Sequence, residues 1–321
     1  MARFGSVLEL IGGTPMVDVS ELSPSESVRI WMKLEGKNPA GSIKDRVALS
    51  LVLSAEDDGL LIPGKPDQVL LEPSSGNTGI ALAMICRIRG YHLKVVLPDN
   101  VSPERRQLLE VYGAEIIDSP GSEGSNGAVK LARSLAADHP EWVFCYQYAN
   151  PANPRAHYRS TGPEILADCP EITHFVSGLG TTGTLIGVGT FLKEHVPGVQ
   201  VWAIEPPAGE IVDGLRSLED GFVPPVFTDG DGEHLLDRRV VVRPRESIEW
   251  TRRLADLGLF VGISSGAAMA GAVRCAGTVA PGEGATIVVI SADDGWKYLS
   301  SDAWSGDLDE VTERASQTIY F

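Results

Sequence analysis

The sequence predicts an α/β protein with parallel sheets, on two observations. Short apolar runs alternate along the chain with amphipathic stretches, and small-residue loops lie where one gives way to the other. The apolar runs predict strands at 29–33, 69–71, 93–97, 115–117, 143–145, 174–176, 201–204 and 286–290. Between them, helical patterns cover 42–57, 77–89, 102–112, 126–137, 184–195 and 247–256. The first opens at Ser42, an N-cap type, with Val47-Ala48-Leu49 behind it and Asp45 approximating a capping box. The second opens near Asn77 or Thr78, behind a serine- and glycine-rich turn. No repeat, low-complexity tract or linker interrupts the alternation. With 321 residues, 43% of them hydrophobic, two sheets sharing one cleft fit better than a single sheet.

Charge and composition exclude some functions. The net charge is −16, from 27 basic and 43 acidic residues. A phosphate-backbone binder would be basic, so nucleic acid is not the expected partner; solubility accounts for the acidity. Cys86, Cys145, Cys169 and Cys275 have neither disulfide-framework nor zinc-like spacing and read as free buried thiols. Residues 1–20 lack a basic start followed by an apolar stretch, and no apolar run approaches a membrane span. The expectation is a cytoplasmic enzyme or binding protein.

Three loops carry the chemistry. In EPSSGNTGIALA (72–83), Ser74, Ser75, Gly76, Asn77 and Thr78 place backbone N–H groups and short hydroxyls at a helix start, an anion site of carboxylate size. Ordinary capping is the competing reading. In SGLGTTGTLIG (177–187), Gly178, Gly180 and Gly183 satisfy G-x-G-x-x-G, and Glu205 ends the next strand. A dinucleotide site with Glu205 on a ribose, hence an NAD-dependent dehydrogenase, is the rival hypothesis. Thr181, Thr182 and Thr184 argue instead for a terminal phosphate monoester, which their hydroxyls suit better than a bridging pyrophosphate. In GISSGAAMAGA (262–272), Ser264 or Ser265 could cap an alanine-rich helix.

Lys44 stands in the first turn of the first predicted helix. That end of a helix is partially positive and disfavours an ammonium, so the pKa should fall below its reference of about 10.4; burial would act the same way. A neutral amine is what imine formation with an aldehyde requires. Pyridoxal 5'-phosphate is an aldehyde with a phosphate monoester, and it accounts for both the lysine and the threonine-rich loop. The alternative is an exposed lysine compensated by Asp45.

Five segments in one order resemble a known family: NPAGSIKDR (38–46), EPSSGNTGIALA, YQYANPANP with HYRSTGPEI (146–165), SGLGTTGTLIG and GISSGAA. They are similar to the fold-type II, β-replacing pyridoxal-phosphate enzymes, the cysteine synthases and cystathionine β-synthases. The likeness runs from IGGTPMV (11–17) to DDGWKYLS (293–300). It implies a tryptophan-synthase-β-like fold of two α/β domains with the cofactor between them. Residues 41–146 would be the smaller, mobile domain, and 1–40 with 147–321 the larger. It also implies roles. Lys44 would bind the cofactor and later take the substrate Cα proton. Asn77 would bond the ring oxygen, Ser264 would face the ring nitrogen, and Gly180, Thr181, Thr182, Gly183 and Thr184 would hold the phosphate. Ser74, Ser75, Gly76 and Thr78, with Gln147, would grip the substrate carboxylate. A neutral serine at the ring nitrogen favours elimination to an α-aminoacrylate, and then β-replacement, over racemisation. A homodimer is implied as well.

The segment GLRSLEDGFVP (214–224) resembles the actinobacterial cysteine synthases that use O-phosphoserine and a thiocarboxylated, ubiquitin-like sulfur-carrier protein. Arg216 would then bind the phosphate leaving group, for which a planar guanidinium is suited. Its other reading is an ion pair with Glu219 and Asp220 at helical spacing. The subgroup resemblance implies a C-terminal tail, Tyr320 and Phe321, able to reach the cleft. O-acetylserine with sulfide is the alternative within the family, and cystathionine synthesis ranks behind it. Gly13, Ala40 and Ser74 depart from the usual family residues.

Overall fold

The structure, a computed structural model, describes residues 3–74 and 76–317. It contains strands β1 (Met16–Asp18), β2 (Val28–Leu34), β3 (Val69–Pro73), β4 (His92–Pro98), β5 (Glu115–Ser119), β6 (Val143–Phe144), β7 (His174–Gly178), β8 (Gln200–Glu205), β9 (Arg238–Val241) and β10 (Ala285–Ser291). The helices are α1 (Lys44–Asp57), α2 (Asn77–Arg89), α3 (Pro103–Val111), α4 (Gly124–Asp138), α5 (Ala152–Ala156), α6 (Gly162–Asp168), α7 (Gly183–His195), α8 (Pro225–Asp229), α9 (Gly232–Leu235), α10 (Pro244–Asp256), α11 (Ile263–Ala276) and α12 (Leu308–Gln317).

Two sheets result. One has the order β1-β2-β10-β7-β8-β9, parallel except for the edge strand β1; the other has the order β5-β4-β3-β6 and is wholly parallel. In the smaller sheet the chain steps outward from β3 to β4 and β5, then returns to the other side of β3. In the larger it steps from β7 to β8 and β9, then β10 returns beside β7. Each reversal opens a crevice beyond the carboxyl ends of its strands. The 74–78 loop follows β3 and the 178–183 loop follows β7, so topology puts both at such crevices.

Both faces of each sheet are covered, as parallel sheets require. β10 reads ATIVVIS and is buried throughout. Its Ile287 and Val289 pack with α10 and α11 on one face, and its Val288 and Ile290 with α6 and α7 on the other, the two-residue period of a strand. In the smaller sheet, Leu70, Val95 and Leu97 pack with α1 and α2, while Leu71 and Val96 meet α4. α2 is buried along most of its length and stops at Gly90, whose φ of +80° makes the left-handed cap.

The eight predicted strands and six predicted helices all form, within three residues at each end. β1, only three residues long, and the exposed edge strand β9 escaped prediction. So did the helical run 152–168, where Pro154 and Pro163 hide the pattern and a π-turn at 157–161 joins α5 to α6. α1 begins at Lys44 rather than Ser42: the Ser42 side chain accepts the Lys44 N–H at 3.2 Å, and Asp45 holds the Ala40 N–H at 2.6 Å instead of closing a capping box. All four cysteines are buried and free. No helix among the described residues is long and apolar enough to cross a membrane.

Candidate active site

A cleft open to solvent lies between the two sheets. Lys44, Ser74, Gly76, Asn77, Thr78, Gln147, Gly180, Thr181, Arg216 and Ser264 all line it, from segments up to 220 residues apart. Thr182 and Thr184 line an adjoining recess that shares Lys44, Gly180, Thr181 and Ser264. Ser75, Tyr320 and Phe321 lie outside the described residues.

Lys44 is positioned from both sides. Its helix packs on α2. Two residues on, the buried Arg46 reaches under the cleft to Glu35 at 2.7 Å and Glu164 at 2.6 Å. Glu164 also meets the fully buried Lys33 at 3.0 Å. This network fixes the start of α1 against the larger sheet. Burial pushes the Lys44 pKa below its ordinary value, and the Asp293 carboxylate pulls it back up. The site therefore favours a free amine, the form that attacks an aldehyde.

The 178–183 loop forms a cradle. Thr182 stands in the left-handed region, φ +70°, and caps α7; the first amide to bond back is that of Ile186, to Thr182 O at 2.9 Å. The amides of the first turn are left for an anion. A Cβ on Gly180 would lie 2.8 Å from the Gly214 carbonyl, and one on Gly183 1.9 Å from Asn153 Oδ1, so both positions need glycine. The Cα of Gly183 thus packs on Asn153, while its N–H is among the first-turn amides of α7. Asn153 donates to Thr181 Oγ1 at 3.0 Å, and Thr184 Oγ1 lies 3.3 Å from Nε2 of the buried His157. Burial, with Arg46 and Lys44 nearby, holds His157 well below the usual imidazole range, so it is neutral.

Ser264 and Ser265 divide. Ser265 Oγ accepts the Ala292 N–H at 3.0 Å and a bond from Ser291, and so serves the end of β10. Ser264 faces the cleft, with Gly214 against it. Gly262, not a serine, is the N-cap of α11.

The turn leading into α2 is partly closed on itself. Ser74 Oγ accepts the Gly76 and Gly79 N–H groups at 3.3 and 3.0 Å, the capping arrangement that competed with anion binding. Its hydroxyl proton stays available. Thr78 donates to Gln147 Oε1 at 2.6 Å across the cleft wall. Below them, Glu72 Oε1 accepts the Gln147 N–H at 3.3 Å, and burial lifts this carboxyl to about 8.

Arg216 is 7% exposed, lines the cleft, and lies over the rings of Tyr148 and Phe222 at 5.4 and 4.7 Å. Residues 215–220 are not helical, so the helical spacing assumed for an ion pair with Glu219 and Asp220 does not exist. Glu219 lies 3.5 Å from Arg239, and Asp220 accepts the Gly209 N–H. Glu205 is no ribose ligand either: its carboxylate accepts from Arg239 at 2.7 Å and from the Leu218 N–H at 3.0 Å. Both oxygens serve the fold, and Glu205 lines neither the cleft nor its recess, so nothing places it on a ribose.

Sequence reasoning missed Arg105, Asp213, Asp293 and Tyr298, all buried in or under the cleft. Arg105 donates to Asp213 at 2.6 Å and lies 4.7 Å over the Tyr298 ring; Asp293 accepts from Asn77 at 2.7 Å and from the Tyr298 hydroxyl. The charged cluster ADDGWK at 292–297 was a signal, but only within a segment read for resemblance.

The residues present fit pyridoxal phosphate. Thr182 Oγ1, a potential donor, is buried without a hydrogen-bond partner, in a glycine-walled cradle beside a lysine inclined to be neutral. Orphaned buried polar atoms are rare and point to an absent partner. Fold and cleft together define the class, an α/β enzyme that works with pyridoxal phosphate.

A family model for pyridoxal-phosphate dependent enzymes matches residues 7–293. Cysteine synthase B of Salmonella typhimurium is 43% identical over 295 residues, covering 91% of this chain and 94% of that protein. An O-ureido-L-serine synthase superimposes with a TM-score of 0.86 at 39% identity, over 96% of this chain and 99% of that one. A cysteine synthase (OASS) from Entamoeba histolytica gives 0.86 at 31%, over 98% and 96%. The chain belongs to the fold-type II pyridoxal-phosphate dependent family, among its cysteine synthases.

Proposed function

We propose that the protein makes L-cysteine by β-replacement on an O-activated L-serine. The observation that carries this reading is that Lys44 lines one cleft and its adjoining recess together with Ser74, Gly76, Asn77 and Thr78 and with Gly180, Thr181, Thr182 and Thr184. The cradle amides, Thr181, Thr182 and Thr184 would hold the cofactor phosphate. Ser264 Oγ would meet the ring nitrogen and Asn77 the ring oxygen. When bound, the cofactor supplies an electron sink for the substrate Cα. The chain supplies the rest. Lys44 Nζ accepts the Cα proton. The 74–78 loop and Gln147 orient the carboxylate, with Thr78 and Gln147 exchanging their mutual bond for bonds to substrate.

Two leaving groups compete. A second E. histolytica neighbour, an O-acetyl serine sulfhydrylase, favours O-acetyl-L-serine with sulfide, and this reading has the better support among the relatives. One feature of the cleft favours O-phospho-L-serine: Arg216, a buried guanidinium whose fork suits a phosphate. A thiocarboxylated carrier as sulfur donor rests on the resemblance of segment 214–224 alone, and the smaller mobile domain (41–146) and the homodimer rest on family resemblance too.

Steady-state assays with both substrates, on the wild type and Arg216→Ala, test the choice. If phosphate leaves, kcat/KM for O-phosphoserine falls by about 10²-fold, as for loss of a buried charge-assisted contact, and that for O-acetylserine by less than threefold. Higher wild-type turnover of O-acetylserine, with equal losses in the variant, assigns the acetyl ester. No cysteine from either ester would overturn the function.

A further inference from the structure

We propose that Asp293 is a positioning residue that fixes which way the Asn77 amide faces the cofactor. The inference rests on the reading of Asn77 as partner of the cofactor's ring oxygen.

Asp293 follows the end of β10, and 1% of it is exposed. Its Oδ2 accepts from Asn77 Nδ2 at 2.7 Å and from the Tyr298 hydroxyl. An ionised carboxylate only accepts, whereas a carboxamide donates from one end and accepts at the other. Against Asp293 the Asn77 amide therefore has one tolerable orientation, with its NH₂ toward the carboxylate. Turned over, it would press Oδ1 against Oδ2. One N–H of that NH₂ goes to Asp293, and the second is left to donate into the cleft that Asn77 lines. A ring oxygen carrying negative charge needs such a donor.

The carboxylate is closely packed on one side. Its Oδ1 lies so near Gly262 that a Cβ there would come within 2.1 Å, and the Gly262 N–H is bonded to Asp293 O at 3.0 Å. Tyr298 is 3% exposed and lies beneath the Arg105 guanidinium. The orientation of Asn77 is thus set from the opposite sheet, across 216 residues of sequence. Lys44 and Asp293 also attract each other, so removing the carboxylate acts on two groups at once. A double-mutant cycle separates them.

The measurement is the equilibrium dissociation constant for pyridoxal phosphate, titrated into full-length protein stripped of it. It is made on wild type, Asp293→Asn, Asn77→Ala and the double variant, with the absorbance maximum of the bound cofactor recorded for each. An asparagine at 293 can donate as well as accept, so it frees the Asn77 amide to turn. Expected is a loss of tenfold or more for Asp293→Asn that shrinks to less than threefold in the Asn77→Ala background, with a shifted absorbance maximum in the single variant. An unchanged constant for Asp293→Asn, or the same tenfold loss whether or not Asn77 is present, overturns the proposal. Asn77→Ala binding as tightly as wild type overturns instead the reading of Asn77 on which it stands. Asp293→Ser, smaller than the native side chain, gives the same cycle if the asparagine variant does not fold.

Discussion

Arg105 donates to Asp213 at 2.6 Å, and the two residues come from opposite sides of the cleft: Arg105 from α3, beside the smaller sheet, and Asp213 from the loop beyond β8 of the larger. Both are less than one-tenth exposed. Removing one partner of a buried pair strands the other, at a cost of about 3–5 kcal/mol, whereas replacing both with apolar groups is far less damaging. Asp213→Ala should lower stability by that amount, and Arg105→Met with Asp213→Leu by less than half of it. Denaturant melts of the two variants measure the difference. Equal losses would mean that the charges are not coupled.

Lys44→Ala should fold as well as the wild type, because the amine is buried at a site that disfavours its charge. If Lys44 is both attachment point and base, as proposed, activity should fall on the order of 10³-fold or more. Borohydride reduction followed by mass measurement should find a pyridoxyl adduct on Lys44 of the wild type and none on the variant. An adduct on another lysine would refute the assignment.

Thr182 carries a φ of +70°, a strain of roughly 1 kcal/mol for a side chain with a Cβ. Thr182→Gly should therefore raise the thermal midpoint of the cofactor-free protein by a few degrees. It should also weaken cofactor binding about tenfold, because the orphaned Oγ1 is lost from the cradle. A variant that gains stability without losing affinity would show that the hydroxyl holds nothing.

Glu72 is held protonated by burial, with its pKa lifted to about 8 from an ordinary carboxylate value near 4.5. The folded state then binds a proton more tightly than the unfolded chain, so stability falls as the pH rises from about 4.5 to about 8 and levels off above. Glu72→Gln keeps the shape and drops the titration. At pH 9 it should be more stable than wild type by several kcal/mol, at about 1.4 kcal/mol for each pH unit by which the pKa is raised, with the gap vanishing near pH 4. Parallel melts against pH would show it. A constant difference across that range would rule the burial argument out.

The strand and helix pattern was legible because parallel strands covered on both faces read as short apolar runs. β10 and α2 needed nothing beyond their own residues. The helical run 152–168 was not legible, because Pro154 and Pro163 lie inside it and its helical shape depends on packing against α7. Lys44 and the threonine loop could be read because each breaks a local rule: a cation at a helix start, and hydroxyls beyond what a turn needs. Glu205 misled because its spacing met the ribose criterion, while its partner, Arg239, lies 34 residues further on.

The sequence by itself determined the local chemistry: which turns carry free amides, which amine is unsuited to its charge, and which stretches become strands. Tertiary structure alone decided how those groups are aimed. Ser265 serves a strand end while Ser264 faces the cleft, and Asp293 sets Asn77 from across the cleft. The physical reason is range. Helix caps, backbone periodicity and loop composition act over a few residues, whereas a hydrogen bond or buried ion pair joins residues that only the packing of two sheets brings within 3 Å.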